Sequence, residues 1–422
     1  MDVKPAFLNS EIEETVYLDI PERLEPQGSS HNPSQDRPLV CRLMKSIYGL
    51  KQSPRAWYGR INRFFIDHGF VRSAQDHNVY VHSVFNLILL LYVDDLVITA
   101  PNVIDMHWIR NLLHEELEMT DLGPLTVFLG LEVRRDRRLR TLHLSQQRYT
   151  QTILDCFAMS AAAPISTPAD LHVRLKASPP EHESDPINRQ RYQAAVGSLM
   201  YAMVGTRPDI SFAVSAVSQY STNPGPSHWT AVRRIFRYLC GTKTVGLLYG
   251  AGNCCGYTDA DWGGSEDRKS IGGYVFIINS GAVSWASKKL VSVALSSTEA
   301  EYMALTQGVK ESLWLGELLS DIRATQHRDE IRQIQGDNLG AIALTRNPEY
   351  HARTKHIDIQ YHFIRQHVKS GTIELTYCLT HEMTADIFPK PLPCPQFEKH
   401  FSGLGLAKAP TFTSQVSEAE RI

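Results

Sequence analysis

The sequence has no long apolar run. Its longest, residues 87–93, stops at the acidic pair Asp94-Asp95, far below the roughly 20 residues that a membrane-spanning helix needs, so no such helix is expected. The first residues carry Asp2 and Lys4 without an apolar leader or a small-residue cleavage site, which argues against secretion. Cysteine is scarce. The seven cysteines stand singly except for Cys254-Cys255, with no CxxC spacing and no Cys/His cluster of the zinc kind. A reducing intracellular compartment is the expectation. One-signed charge is missing too: 43 Lys and Arg face 45 Asp and Glu, for a formal net charge of −2. Nucleic-acid binding then depends on whether cations gather locally. They do at Arg134, Arg135, Arg137, Arg138 and Arg140, and again at Arg233, Arg234 and Arg237, although each group alone reads as solvated surface.

What is present describes a folded protein of two or three units. Hydrophobic residues make up 43% and charged residues 21% of 422 positions, too long a chain for one ordinary core. The pattern predicts a strand over residues 2–8 and a polar loop over 21–38. A helix is expected over 53–69, where Ala56, Trp57, Ile61, Phe64 and Phe65 recur at helical spacing. Strands are expected at 79–81 and, as a pair joined at Asp94-Asp95, over 87–100. A helix follows at 108–117, then strands at 127–134 and 141–144. Residues 164–185 read as an extended proline-rich connector. Helical patterns fill 192–220 and 229–239, with breaks at Arg207-Pro208 and Asn223-Pro224. After Gly252 strands and helices alternate as in a compact mixed sheet domain, ending near Leu392; the last residues read as a frayed tail.

Two sets of carboxylates carry chemistry. Joining or cleaving phosphodiesters is commonly done by two divalent cations about 3.5–4 Å apart, held by carboxylates on rigid elements; magnesium, which takes oxygen ligands and keeps water, is the expected ion. The first set is Asp2 with Asp94 and Asp95 at the hairpin tip. The second is Asp259 in Gly256-Tyr257-Thr258-Asp259-Ala260-Asp261-Trp262, Glu301 in Ser297-Thr298-Glu299-Ala300-Glu301-Tyr302, Asp337 in Gly336-Asp337-Asn338, and Asp386 in Ala385-Asp386-Ile387. Asp259 and Asp337 end apparent strands, while Glu301 and Asp386 fall on apparent helices. Each acid alone is ordinary, since an acid opening a helix or sitting in a turn needs no function.

Taken in order, these motifs resemble the Pol polyprotein of copia-type LTR retrotransposons, over nearly all of residues 2–392. Asp2-Val3-Lys4-Pro5-Ala6-Phe7-Leu8-Asn9 is similar to the first polymerase motif, and Tyr92-Val93-Asp94-Asp95 to the active-site hairpin. The run from Ile47-Tyr48-Gly49-Leu50-Lys51-Gln52 to Trp57-Tyr58 resembles the template and nucleotide contact region. Asp121-Leu122-Gly123-Pro124 and Phe128-Leu129-Gly130-Leu131-Glu132-Val133 resemble the end of the palm and the primer grip. In the later half, Asp267-Arg268-Lys269-Ser270, Ser284-Trp285-Ala286-Ser287-Lys288-Lys289 and Thr354-Lys355-His356-Ile357-Asp358 add matches, and Thr206-Arg207-Pro208-Asp209-Ile210 lies between the two acid sets.

The resemblance implies an α+β and α/β multidomain chain. Residues 1–135 would be a reverse-transcriptase palm, truncated at its N-terminus and lacking fingers. Residues 136–250 would be the thumb and connection, 251–392 an RNase H-like domain with a mixed five-stranded sheet, and 393–422 a tail. It implies an RNA-directed DNA polymerase with RNase H activity, the polymerase half impaired for want of the cationic fingers that hold the triphosphate. Asp2, Asp94, Asp95, Asp259, Glu301, Asp337 and Asp386 would be catalytic and bind Mg2+, two ions per active site. Phe7 would lie under the sugar and Gln52 would touch nucleotide or template, while Lys269, Lys288 and Lys289 would meet hybrid phosphates. Partners would be an RNA–DNA hybrid, template RNA with a DNA primer, dNTP and other Pol or Gag products, with no membrane. The setting would be the cytoplasm, within a virus-like particle, or the nucleus. Glu299 remains open beside Glu301 and Asp261 beside Asp259; Glu301 is preferred because Tyr-Met-Ala-Leu follows it. Pro5 departs from the family's threonine, and Pro389-Lys390 stands for its Thr-Lys. The alternative is a catalytically silent nucleic-acid-binding relic or domesticated fragment.

Overall fold

The computed structural model describes residues 1–21, 40–179, 181, 184–252, 254–324, 327–346 and 358–409. Two compact units result: Met1–Leu125 with Asp321–Arg323, and Thr126–Ser320 with Ala324–Ile422. No helix among the described residues is long and apolar enough to cross a membrane.

In the first unit the strands are β1 (Asp2–Val3), β2 (Tyr17–Asp19), β3 (Val40–Arg42), β4 (Phe70–Arg72), β5 (Val79–His82), β6 (Leu87–Tyr92), β7 (Asp95–Thr99) and β8 (Met119–Thr120), and the helices are α1 (Ser53–Asp67) and α2 (Val103–Glu116). Six strands form one antiparallel sheet in the order β4-β5-β6-β7-β1-β8, and β2 pairs with β3 separately. Strand periodicity explains its face: Leu87, Leu89 and Leu91 are buried on one side of β6. Against them α1 lays Trp57, Ile61 and Phe65, four residues apart, and α2 adds Ile109 and Leu113, the spacing that puts side chains on one helix face. Pro54 is accommodated in the first turn of α1, where no intrahelical N–H is lost. Asn102 caps α2, its Oδ1 accepting from Asp105 N at 2.9 Å.

The strand expected over residues 2–8 stops at Val3. Proline cannot donate to a ladder, and Pro5 instead leads into a 3-10 turn, Ala6–Asn9. The departure from the family's threonine therefore lies outside the sheet.

In the second unit one antiparallel sheet has the order β18-β12-β11-β10-β9, built from β9 (Val127–Phe128), β10 (Leu131–Asp136), β11 (Thr141–Ser145), β12 (Val245–Tyr249) and β18 (Leu406–Lys408). The strand expected over 127–134 is thus two strands, broken where Leu129 and Gly130 both take positive φ. Helices α3 (Gln147–Cys156), α4 (Pro186–Gly205), α5 (Ser211–Ser218) and α6 (Pro226–Gly241) follow. The α3 helix escapes a sequence reading because its sequence is rich in Gln and Thr and its buried set includes Thr150.

A second sheet is five-stranded and mixed. Its order is β15-β14-β13-β16-β17, from β13 (Cys255–Asp261), β14 (Ile271–Ile278), β15 (Gly281–Lys289), β16 (Gln333–Gly336) and β17 (Glu374–Tyr377). The first three are antiparallel, and β16 and β17 run parallel to β13 and to each other. The remaining helices are α7 (Ser297–Asp321), α8 (Arg328–Ile331), α9 (Leu339–Arg346), α10 (Asp358–Lys369) and α11 (Cys394–Gly403).

Two expected boundaries move. The compact division falls at Leu125 rather than 135, because β10 takes its partners from β9 and β11. Nor do residues 250 and 251 separate compact units: one buried cluster joins Leu154, Leu199, Val214 and Phe236 to Val275, Phe388 and Leu406. Residues 393–408 correct the expectation of a tail. Phe397 of α11 is in that core, and β18 pairs with β12; a strand anchored in a sheet has its backbone bonds satisfied and does not fray.

Candidate active sites

The first carboxylate set lies where β1 runs beside β7 in the first sheet, but Asp2, Asp94 and Asp95 do not bring one oxygen each within 4.8 Å of one another. Asp2 and Asp95 are direct cross-strand partners, and Val3 N donates to Asp94 O at 3.0 Å while Leu96 N donates to Met1 O at 2.8 Å. Asp94 completes the turn after Val93, whose φ of 56° is costly for a β-branched residue. Trp57 holds that turn: its Nε1 donates to Val93 O at 2.6 Å. Desolvation, then the like charges of Asp94 and Asp2, hold the Asp95 carboxyl above its ordinary range. Asp94 in turn helps to push the Tyr48 phenol up, after the larger effect of burial. Phe7 is buried, its ring 4.5 Å from that of exposed Tyr48. Gln52 is half-buried at the N-cap of α1 without a side-chain capping bond.

The second set converges more tightly. Asp259 is on β13, Glu301 on the first turns of α7 and Asp337 directly after β16, and one carboxylate oxygen from each lies within 4.8 Å of the others. Topology does this. Adjacent parallel strands β13 and β16 end on the same side of the sheet, so acids at or just beyond their C-terminal ends share one rim. Asp386 joins them from a 3-10 turn, Thr384–Ile387, rather than the helix expected. It is 1% exposed, and Asp259 is 2% exposed.

Burying so many like charges has electrostatic consequences. Desolvation first, and then neighbouring carboxylates, hold Asp259 and Glu301 well above the usual carboxylate range. Lys390 is the cationic counterweight that the expected site lacked. Its Nζ is 2.8 Å from Asp386 Oδ1 and 3.5 Å from Asp259 Oδ2, and these neighbours hold the ammonium above its ordinary value against the opposing effect of desolvation. Gln396 Nε2 donates to Asp386 Oδ2 at 2.8 Å. Both residues were missed as site members. The i to i+4 spacing of Asp386 and Lys390 was the available signal; Gln396 had none.

The two open choices have distinct geometries. Glu299 Oε2 accepts from Leu295 N at 2.6 Å and so closes the start of α7, whereas Glu301 turns to Asp259 and Asp337. Asp261 lies outside the converging trio and lines a neighbouring cavity of about 920 Å³. That cavity also takes Arg174, Arg233, Lys289 and Lys390 on its wall.

The expected phosphate-binding lysines are dispersed. Lys288 is exposed, Lys269 is half-buried, and Lys289 pairs with Asp267 at 2.9 Å. Two arginines of the α6 cluster fasten the connector instead of standing free. Arg234 binds Asp170 at 2.9 Å, and Arg237 Nε donates to Ala163 O at 2.7 Å. His356, with Thr354, Lys355 and Ile357 of the motif around it, lies outside the described residues.

The chemistry of the second site fits hard divalent cations. Asp259 Oδ2 is buried with no hydrogen bond among the described residues, and three further acids share its space with one lysine. Oxygen ligands of this kind suit magnesium or manganese over softer metals.

Residues 1–170 match the family model described as reverse transcriptase (RNA-dependent DNA polymerase). The chain is 42% identical, over 94% of its length, to the retrovirus-related Pol polyprotein from transposon TNT 1-94 of Nicotiana tabacum, and 37% identical over 97% to that from transposon RE2 of Arabidopsis thaliana. It spans 30% and 28% of those two proteins. A putative transposon Ty5-1 protein of Saccharomyces cerevisiae is covered over 100% of its length at 33% identity, by 74% of this chain. Among solved structures, the foamy viral protease-reverse transcriptase in complex with RNA/DNA hybrid aligns with 80% of this chain and 39% of its own, at a TM-score of 0.40 and 10% identity, a likeness too weak to carry an argument.

Proposed function

This chain belongs to the family of retrovirus-related Pol polyproteins of copia-type transposons, and from that premise we propose that its second unit cleaves the RNA strand of RNA–DNA hybrids with Mg2+, as a ribonuclease H, while its first unit carries the nucleotidyl-transfer site of a reverse transcriptase. The convergence of Asp259, Glu301 and Asp337 within 4.8 Å carries the reading. Its frame supports it: three antiparallel strands continued by two parallel ones, with acids contributed in the order strand, helix, strand and helical turn. The resemblance implies the same order.

Asp259, Glu301, Asp337 and Asp386 would hold two divalent ions, which when bound activate water and offset charge on the phosphoryl group. The protein's own groups prepare the place. Lys390 pairs with one oxygen of Asp386 and holds it in place, and Gln396 fixes the other. Lys288 and Lys269 meet backbone phosphates, contacts that position a duplex without reading sequence; the hybrid is recognised by its shape and 2′-hydroxyls. In the first unit Asp2, Asp94 and Asp95 would hold the ions for addition of a dNTP to a DNA primer on template RNA.

The test is a labelled hybrid incubated with Mg2+ and either wild type or Asp337→Asn. Cleavage of the RNA strand by wild type alone supports the reading. Hybrid binding without cleavage by either protein would replace it with that of a silent binding module.

A further inference from the structure

Apart from the acids, the described residues bring together one other group of metal-ligating side chains: Cys254, His327 and Glu330. We infer that these three form a separate site for a thiophilic divalent cation of the zinc class, which clamps the far end of the mixed sheet.

The donor atoms are already assembled. Cys254 Sγ lies 3.2 Å from His327 Nδ1, and Nδ1 lies 3.4 Å from Glu330 Oε2; one ligand atom from each residue falls within 4.8 Å of the rest. A tetrahedral zinc ion, with bonds of about 2.0–2.3 Å, sets its ligand atoms roughly 3.3–3.6 Å apart. The observed spacing therefore needs only a small outward shift at the sulfur. Cys254 is 7% exposed, while the Glu330 side chain is 51% exposed. A thiolate would thus enter from the protein side, and solvent reaches the other, leaving the fourth position for water.

Ligand type separates this site from the catalytic one. Sulfur and imidazole nitrogen favour zinc and discriminate against magnesium, which the four-acid site suits. Position separates them too. Gly256 of β13 pairs with Ile334 of β16, so Cys254 and Glu330 both lie just before the start of that parallel pair. The acids lie at its other end, five residues further along β13, or about 16 Å for an extended chain. An ion there would tie the two strand starts together and take no part in phosphodiester chemistry. Cys254 and His327 are separated by 73 residues, which is why no local Cys/His spacing announces the site.

The experiment titrates the full chain, stripped with a chelator, with Co2+ as a spectroscopic probe in excess Mg2+. Wild type should show thiolate-to-cobalt charge transfer saturating at one equivalent, bleached by Zn2+. Cys254→Ser should abolish that band and Cys255→Ser should leave it. Glu330→Gln, at an exposed position that does not threaten folding, should weaken binding about tenfold. Absence of the band in wild type, its survival in Cys254→Ser, or unchanged affinity in Glu330→Gln would each overturn the inference and leave only a hydrogen-bonded triad.

Discussion

Lys390 Nζ stands 2.8 Å from Asp386 Oδ1 and 3.5 Å from Asp259 Oδ2, so one ammonium serves two carboxylates that are almost wholly buried. Its side chain keeps 33% exposure, which moderates its worth. Lys390→Met should cost about 1–3 kcal/mol of stability, because a buried charge loses its partner. Urea denaturation in chelator measures this, and saturating Mg2+ should restore much of the loss. A variant as stable as wild type would show the pair to be idle.

The crowded acids make the metal-free protein sensitive to pH. Burial and neighbouring charge raise Asp259 and Glu301. A carboxyl raised on folding contributes stability that is full below its ordinary value, about 3.9 for Asp, and is lost as pH rises through the raised one. Thermal unfolding in chelator should therefore show wild type losing stability from about pH 4 upward. Asp259→Asn should lose less, and Mg2+ should flatten the wild-type curve. An equal slope in Asp259→Asn would remove this residue from the strained set.

A second buried pair is structural. Arg207 binds Asp209 through Nε at 3.0 Å and Nη2 at 2.7 Å, and Tyr238 OH donates to Asp209 Oδ2 at 2.6 Å. Both charged side chains are essentially inaccessible. Asp209→Ala strands the guanidinium and should cost about 3–5 kcal/mol, read by urea midpoint at constant slope. A loss under about 1 kcal/mol would mean that the network behaves as a surface pair.

At the first site the strain sits in Val93. Val93→Gly should raise stability by up to about 1 kcal/mol by relieving a positive φ. Trp57→Phe deletes the bond to Val93 O and part of a buried indole, and should cost about 1–3 kcal/mol. Differential scanning calorimetry resolves both, and a loss in Val93→Gly would contradict the account of the turn.

More of the candidate sites than of the frame around them is legible in the sequence. Leu87, Leu89 and Leu91 alternate and Trp57, Ile61 and Phe65 recur by four, so β6 and α1 were legible from periodicity. The acids were legible because each motif is local. What escaped depends on distant partners. Strand β18 is three residues whose only warrant is the edge of β12, and α11 shows itself as core only once Phe397 meets Tyr238. The arginines of α6 looked like free surface, yet Arg234 and Arg237 are occupied by a connector some 65 to 75 residues earlier. Lys390 was visible as a motif residue but not as a charge partner, since its second carboxylate, Asp259, comes from another strand.

Two glutamates one turn-half apart give the most direct test of the central claim. The measurement is the rate of RNA-strand cleavage in an RNA–DNA hybrid with Mg2+ by Glu301→Gln and Glu299→Gln, side by side with wild type. Glu301 faces Asp259 and Asp337, whereas Glu299 closes its own helix. The account predicts a loss of roughly a hundredfold or more for Glu301→Gln and near-wild-type cleavage by Glu299→Gln. The reverse ranking, or cleavage indifferent to both, would contradict it.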